Sequence, residues 1–348
     1  GLLDADAFYA AVMAISESVS IAKVARNMAI SAHDLLRHGI GMVHAVEGVG
    51  FKKDLDVTGV ATMARGLDID LRLFQQTLDL EKVQRRGLPR IGGCFACALD
   101  GCFGTHDAAL HEPYADDPTG QDRGLLYYEQ AQVNDFVQRA HAAGLQIELH
   151  GIGDRAVTQA LDAFEAALKA SPRDDHRHTI IHASLVREED KDRMARLGIG
   201  VAAQPGMVAL RQEPLAYLEG ILGEARTRAL VPIRSLDERG IRVSFGTDAP
   251  VIVPRTGTTL HAAMHHPNSD EAVSFADALR MHTRDGYDST FDDDLGHIIP
   301  GAAADFLVLD AREEESPGAA ASQLEPWRVV RHGRPVSESP PGLARLLG

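Results

Sequence analysis

The chain has 348 residues, 35 Lys and Arg against 50 Asp and Glu, a net charge of -15, and 45% hydrophobic residues. That length suits two domains or one large α/β barrel with an appendage, and the acidic balance excludes a phosphate-neutralising face for nucleic acid. The composition is globular rather than disordered, and no apolar run reaches the roughly 20 residues of a membrane helix. Three cysteines, Cys94, Cys97 and Cys102, suit a reduced, cytoplasmic protein better than a disulfide scaffold.

In chain order, Leu2–Ile40 reads as helical sequence leading into a strand at Gly41–Val46. Short apolar strands follow at Leu71–Thr77, Ala96–Leu99, Gln146–His150, Thr179–His182, Gly200–Gln204 and Arg242–Phe245. Helices are expected at Tyr128–Ala143, Arg155–Ala170 and Glu188–Leu197; the last has acidic residues in its first turn and Arg196 in its last, as the helix dipole favours. One unit recurs at Ala32–Val46, Phe136–His150, Asp192–Pro205 and Ile233–Asp248: an amphipathic helix, a glycine where a left-handed residue is needed, then a strand at once. Helix followed by strand without hairpins means parallel strands joined by crossovers. Seven such strands are one short of a closed (β/α)8 barrel. After Ser274–Tyr287 the pattern changes, with strands expected at Asp305–Asp310 and Arg328–His332, a turn at Gly333–Pro335, and a polar loop at Arg312–Glu325 between them.

In parallel barrels the C-terminal strand ends form the active face. Here those positions carry His44, Asp100, His150, His182, Gln204 and Asp248. His150 and His182 end neighbouring strands, so their rings stand roughly 5 Å apart, a workable separation for sharing one zinc ion. Asp248 adds a carboxylate from the last strand. The three make a plausible open site with a position left for water. From spacing alone, structural histidines are an equally weighted reading. His44 reads as a packed histidine, and Asp154 as a helix N-cap. Arg155, at the helix start against the dipole preference, is a candidate for holding an anionic or carbonyl group. Asp100 either orients a substrate or forms an Asx turn before Gly101. The Cys94-x2-Cys97 pair lacks a second pair at zinc-site spacing and reads as core or loop thiols. There is no P-loop, no GxSxG elbow and no Gly-rich dinucleotide turn.

Seven stretches, in order, carry a family resemblance: HGIGMVHAVEG (His38–Gly48), LDGCFGTHDAALHEPYADDP (Leu99–Pro118), LHGIGDRAV (Leu149–Val157), IIHASLV (Ile180–Val186), AAQPGM (Ala202–Met207), FGTDAPV (Phe245–Val251) and LGHIIPGAAADFLVLD (Leu295–Asp310). The chain resembles the amidohydrolase superfamily, and within it the amidohydrolase-3 (YtcJ-like) metal-dependent hydrolases. The resemblance implies a TIM-type (β/α)8 barrel of which strands 2–8 lie in this chain, with residues 1–295 as the barrel and 296–348 as a remnant of a small β-sandwich. It implies a hydrolase of C–N bonds in amide, formamide or cyclic amide-like small molecules, using water activated by divalent metal. His150 and His182 look like the metal ligands of the fifth and sixth strands. Asp248 looks like the eighth-strand residue that binds metal and acts as general base or acid. His182 would help to polarise the carbonyl, while Arg155, Asp100 and Gln204 would seat the substrate.

Two departures stand out. The family's His-x-His on the first strand is missing, and His176-Arg177-His178 has that spacing only in a polar loop before a strand. The chain therefore reads as the later part of a longer protein. Ala96 also stands where the family often has a metal-bridging Lys, which favours one ion, zinc first, over two. Cys97 or water would complete its tetrahedron, with Cys94 as a small apolar residue. The competing expectation is a catalytically silent barrel used for binding or assembly. Homodimerisation is the base-rate expectation, and neither nucleic acid nor membrane is an expected partner.

Overall fold

A computed structural model of the chain describes residues 5–51, 54–210, 213–309 and 326–342. Seven parallel strands lie in one sheet in chain order: β1 (Met42–Glu47), β2 (Asp70–Gln75), β3 (Arg90–Ala98), β4 (Gln146–Gly151), β5 (Thr179–His182), β6 (Gly200–Ala203) and β7 (Val243–Phe245). The sheet curls into part of a barrel with helices outside it, and among the described residues β1 and β7 each pair on one side only. The recurring glycine is explained by its backbone: Gly39, Gly144, Gly198 and Gly240 have φ of 85°, 78°, 68° and 74°. A side chain is costly in that left-handed region, and there the helix can stop and turn directly into a strand.

All six residues of β4 are buried, as a strand covered on both faces must be. Its alternation divides the fold into two interiors. Ile147 and Leu149 pack outward against Val133, Phe136, Val137, Val157, Leu161 and Phe164 of the helices Gln130–Ala142 and Asp154–Ala170. Burying each such side chain is worth about 1.5–3 kcal/mol. Gln146, Glu148 and His150 project to the opposite face, inside the curl. There Gln146 Nε2 donates to the carbonyls of Arg177 (2.7 Å) and Ser289 (2.6 Å), closing the end where the strands begin.

β3 begins earlier than the expected Ala96–Leu99 because Gly92 and Gly93 carry no hydrophobic signal. Both have positive φ, 137° and 145°. A Cβ at Gly92 would overlap the Glu148 carbonyl, and one at Gly93 would overlap the Gln76 side chain. Close approach is followed by a register shift between Gly93 and Ala98, a bulge that re-aims the residues between. A second, antiparallel sheet comprises β8 (Phe306–Leu309), β9 (Pro326–Arg331) and β10 (Arg334–Pro335); the expected loop at 312–325 lies outside the described residues. Arg331, buried, fastens this sheet to the barrel through Asp70 and Asp305, each at 2.6 Å. No helix of the described residues is long and apolar enough to cross a membrane.

Candidate metal centre

His150 ends the barrel-facing row of β4, and His182 is the last residue of β5. Strict alternation would send His182 outward after Ile180, which lies in the helix-facing core. Left-handed backbone at His182 (φ 73°) and Ala183 (φ 45°) lets the ring turn to the barrel mouth instead. Non-glycine residues pay for such conformations, which concentrate at functional sites. The two rings meet edge to face with centroids 4.5 Å apart. The β3 bulge adds Cys94, whose Sγ is 3.9 Å from His182 Nε2. One donor atom from each of Cys94, His150 and His182 lies within 4.8 Å of the other two. On a tetrahedral zinc, sulfur and nitrogen ligands stand about 3.6 Å apart and two nitrogens about 3.3 Å apart, so a small contraction would close the set.

The electrostatics suit a cation. Both ring nitrogens of His150 are buried without a hydrogen-bond partner among the described residues, and buried polar atoms left so demand an explanation. The nearest carboxylate oxygen, Asp100 Oδ1, stands 3.6 Å from Nε2. Burial drives the pKa of His150 far down, with His182 adding to the effect and the backbone of Gly101 and Asp100 opposing it. Burial lowers His182 too, opposed by Asp248 and by the hydrogen bond to Gln204. Both shifts favour the neutral imidazole, whose lone pair is what a metal needs. Burial first, then Asp248, Glu148 and Cys97, push the Cys94 thiol well up; a divalent ion reverses that, because a coordinating thiol is deprotonated outright.

The other expected residues are placed as follows. Asp248 follows β7 with φ 52°, half-buried and outside the 4.8 Å group. Burial raises its pKa, and the neighbouring His182 opposes the rise. Asp100 is buried and accepts from the backbone N–H of Ala109 (2.8 Å), Ile152 (2.9 Å) and Gly153 (2.8 Å), so it holds the loop that follows His150. Burial lifts its pKa to about 7 against those three N–H groups. Gln204 lies against His182 rather than open space. Arg155 sits half-buried in the first turn of the Asp154–Ala170 helix, its guanidinium without an ion pair among the described residues. Asp154 does not cap its own helix, for which Gly153 is the N-cap; it accepts from His111 N–H at 2.9 Å. His44 lies inside the curl, Nδ1 3.7 Å from Glu148 Oε1.

The two cysteines of the expected Cys94-x2-Cys97 pair face opposite ways. Cys97 is fully buried among Tyr128, Val133 and Phe136 of the helix layer, its thiol directed at the Thr77 carbonyl at 3.7 Å. Cys94 faces the histidines. The only signal for this in the sequence is the Gly92-Gly93 pair, which marks the bulge.

The amidohydrolase family profile matches residues 1–337. The chain belongs to the amidohydrolase family. It is 27% identical over 257 residues to the Bacillus subtilis (strain 168) protein YtcJ, named as an amidohydrolase, covering 71% of this chain and 47% of that protein. It is 31% identical over 219 residues to the N-substituted formamide deformylase of Arthrobacter pascens, covering 60% and 39%. A metal-dependent hydrolase from Pyrococcus furiosus matches its fold with a TM-score of 0.68 at 25% identity, over 81% of this chain and 59% of that one. The chain thus spans less than half the length of these curated relatives of the family.

Proposed function

We propose that this chain forms the catalytic mouth of a metal-dependent hydrolase of C–N bonds in small amide-like molecules, with Cys94, His150 and His182 holding one divalent ion and Asp248 moving the proton. The observation that carries this reading is the convergence of a half-buried thiol and two buried imidazoles, one of them with neither nitrogen partnered among the described residues. A thiolate and two imidazoles are a donor set that favours zinc, which when bound supplies Lewis acidity and lowers the pKa of water at the site. Asp248, held above the usual carboxylate range by burial, is suited to take a proton from water and hand it to the leaving nitrogen. Asp100 keeps the His150 loop in place, and the Arg155 guanidinium, without an ion pair among the described residues, is the candidate to bind a substrate carbonyl or carboxylate. Similarity to a formamide deformylase supports an amide or formamide bond as the one cleaved.

The test is metal analysis and kinetics of the full-length protein with its Asp248→Asn and Cys94→Ser variants. About one equivalent of divalent metal is expected. Asp248→Asn should retain it and lose roughly 10²–10⁴-fold in kcat, whereas Cys94→Ser should lose metal. Substoichiometric metal in the wild type, or an Asp248→Asn variant of unchanged activity, would overturn the assignment and favour the silent-barrel reading.

A further inference from the structure

We infer that Gln204 is a positioning residue whose side-chain amide decides which nitrogen of His182 is free to bind metal. The inference rests on the metal reading above and adds to it a group that touches neither ion nor substrate. Gln204 Nε2 donates to the Ala202 carbonyl at 2.8 Å. Its Oε1 therefore faces the other way, 2.7 Å from His182 Nδ1. A carbonyl oxygen can only accept, so the proton of the neutral imidazole lies on Nδ1 and the lone pair on Nε2. Nε2 is the atom 3.9 Å from Cys94 Sγ, on the side where the three donors meet.

Both side chains are buried, with 2% of His182 and 4% of Gln204 exposed, so bulk water cannot substitute for the amide. The amide is itself anchored by backbone, since Ala202 is paired with Ile181 in the β5–β6 ladder. The strand pairing that brings His182 to the mouth thus also fixes the orientation of the residue that selects its tautomer. Partners of this kind to a metal-binding histidine set ring orientation and basicity, and their loss costs about 10–100-fold in metal affinity. With both ends of the amide engaged, Gln204 acts through His182 rather than on the substrate.

The experiment uses the full-length protein and two variants: Gln204→Glu, which keeps an accepting oxygen, and Gln204→Met, which removes it at similar size. In metal-free protein labelled with ¹⁵N-histidine, NMR reads the His182 tautomer, its signals identified by their absence in His182→Asn. Zinc affinity is read by competition with a chromophoric chelator. Wild type and Gln204→Glu should show the Nδ1–H tautomer, with Gln204→Glu binding zinc close to wild type. Gln204→Met should lose the Nδ1–H preference and bind zinc about 10–100-fold more weakly. A wild-type His182 protonated on Nε2, or a Gln204→Met variant unchanged in tautomer and affinity, overturns the inference; the first of these needs no variant to fold. Absence of zinc binding by the wild type would instead sink the metal reading, while the metal-free tautomer measurement would still decide the role of Gln204.

Discussion

Two clusters of buried histidines sit at opposite ends of β4 and β5, and their hydrogen bonding differs in kind. At the end where the strands begin, Ile147 N–H donates to His178 Nδ1 at 3.1 Å, which leaves the His178 proton on Nε2 to be donated to His141 Nδ1 at 2.9 Å. His141 Nε2–H then donates to the Ser171 carbonyl at 2.7 Å. The backbone N–H of His178 donates to His176 Nδ1 at 3.0 Å, and His176 Nε2–H to the Leu197 carbonyl at 2.9 Å. Every ring nitrogen of the three has a partner at 3.1 Å or less, and Arg173 Nη2 also approaches His178 Nε2, at 3.4 Å. At the mouth, neither nitrogen of His150 is bonded among the described residues, and His182 meets Gln204 at Nδ1 and the Cys94 thiol at Nε2. Burial is common to both clusters and distinguishes nothing. Complementarity does: a ring with every nitrogen answered is structure, and converging lone pairs are a binding site.

That contrast can be broken by exchanging the outcomes of two substitutions. The largest effect on stability is expected from His178→Ala, which removes a ring stacked on Phe164 and leaves the Ile147 N–H and His141 unpaired. A loss of about 3–4 kcal/mol in urea unfolding is expected, with zinc binding retained by the folded fraction. His150→Ala should do the reverse. Zinc affinity falls by more than the roughly 100-fold that follows loss of an orienting partner, while metal-free stability stays within about 1 kcal/mol, because an unanswered buried polar group goes with the ring. If His150→Ala unfolds the protein and His178→Ala abolishes metal binding, the assignment of the two clusters is inverted.

The smallest effect is a pH slope, which sharpens the contrast. Burial lowers the folded-state pKa of His176 and His178, and lowers that of His282 to about 4. Below the unfolded value of about 6.5 the unfolded chain binds more protons than the folded one. Stability is then complete above about pH 6.5 and is lost as pH falls from there toward 4, by about 1.4 kcal/mol per pH unit for each group. Urea midpoints at pH 7.5 and 5.5, compared in wild type and a His176→Asn variant, measure it. A steeper slope in the variant would contradict the role of that ring.

Legibility in the sequence follows the range of the interaction. The helix-glycine-strand unit was readable because each part acts within a few residues, and the seven strands followed. β3 was located late because Gly92 and Gly93 are chosen for the approach of Glu148 and Gln76, which a hydrophobic pattern does not register. That same bulge decides the cysteines: Cys97, expected from the sequence as the alternative to water for completing the site, packs outward, and Cys94 faces the histidines. Asp100 and Gln204 were recognised as polar residues near the strand ends. Their partners, three backbone N–H groups and an imidazole, arise only when separate βα units pack together.

The sequence by itself determined the parallel α/β architecture, the family, and the two histidines at adjoining strand ends, because periodicity, glycine placement and contiguous motifs are local properties. Only the tertiary structure decided which donors converge and which nitrogens remain unanswered. Cys94 and His182 are 88 residues apart and His182 and Gln204 are 22, so neither relation is written in any single segment. Hydrogen-bond complementarity belongs to neighbours in space, and the difference between a structural histidine and a metal ligand is of that kind.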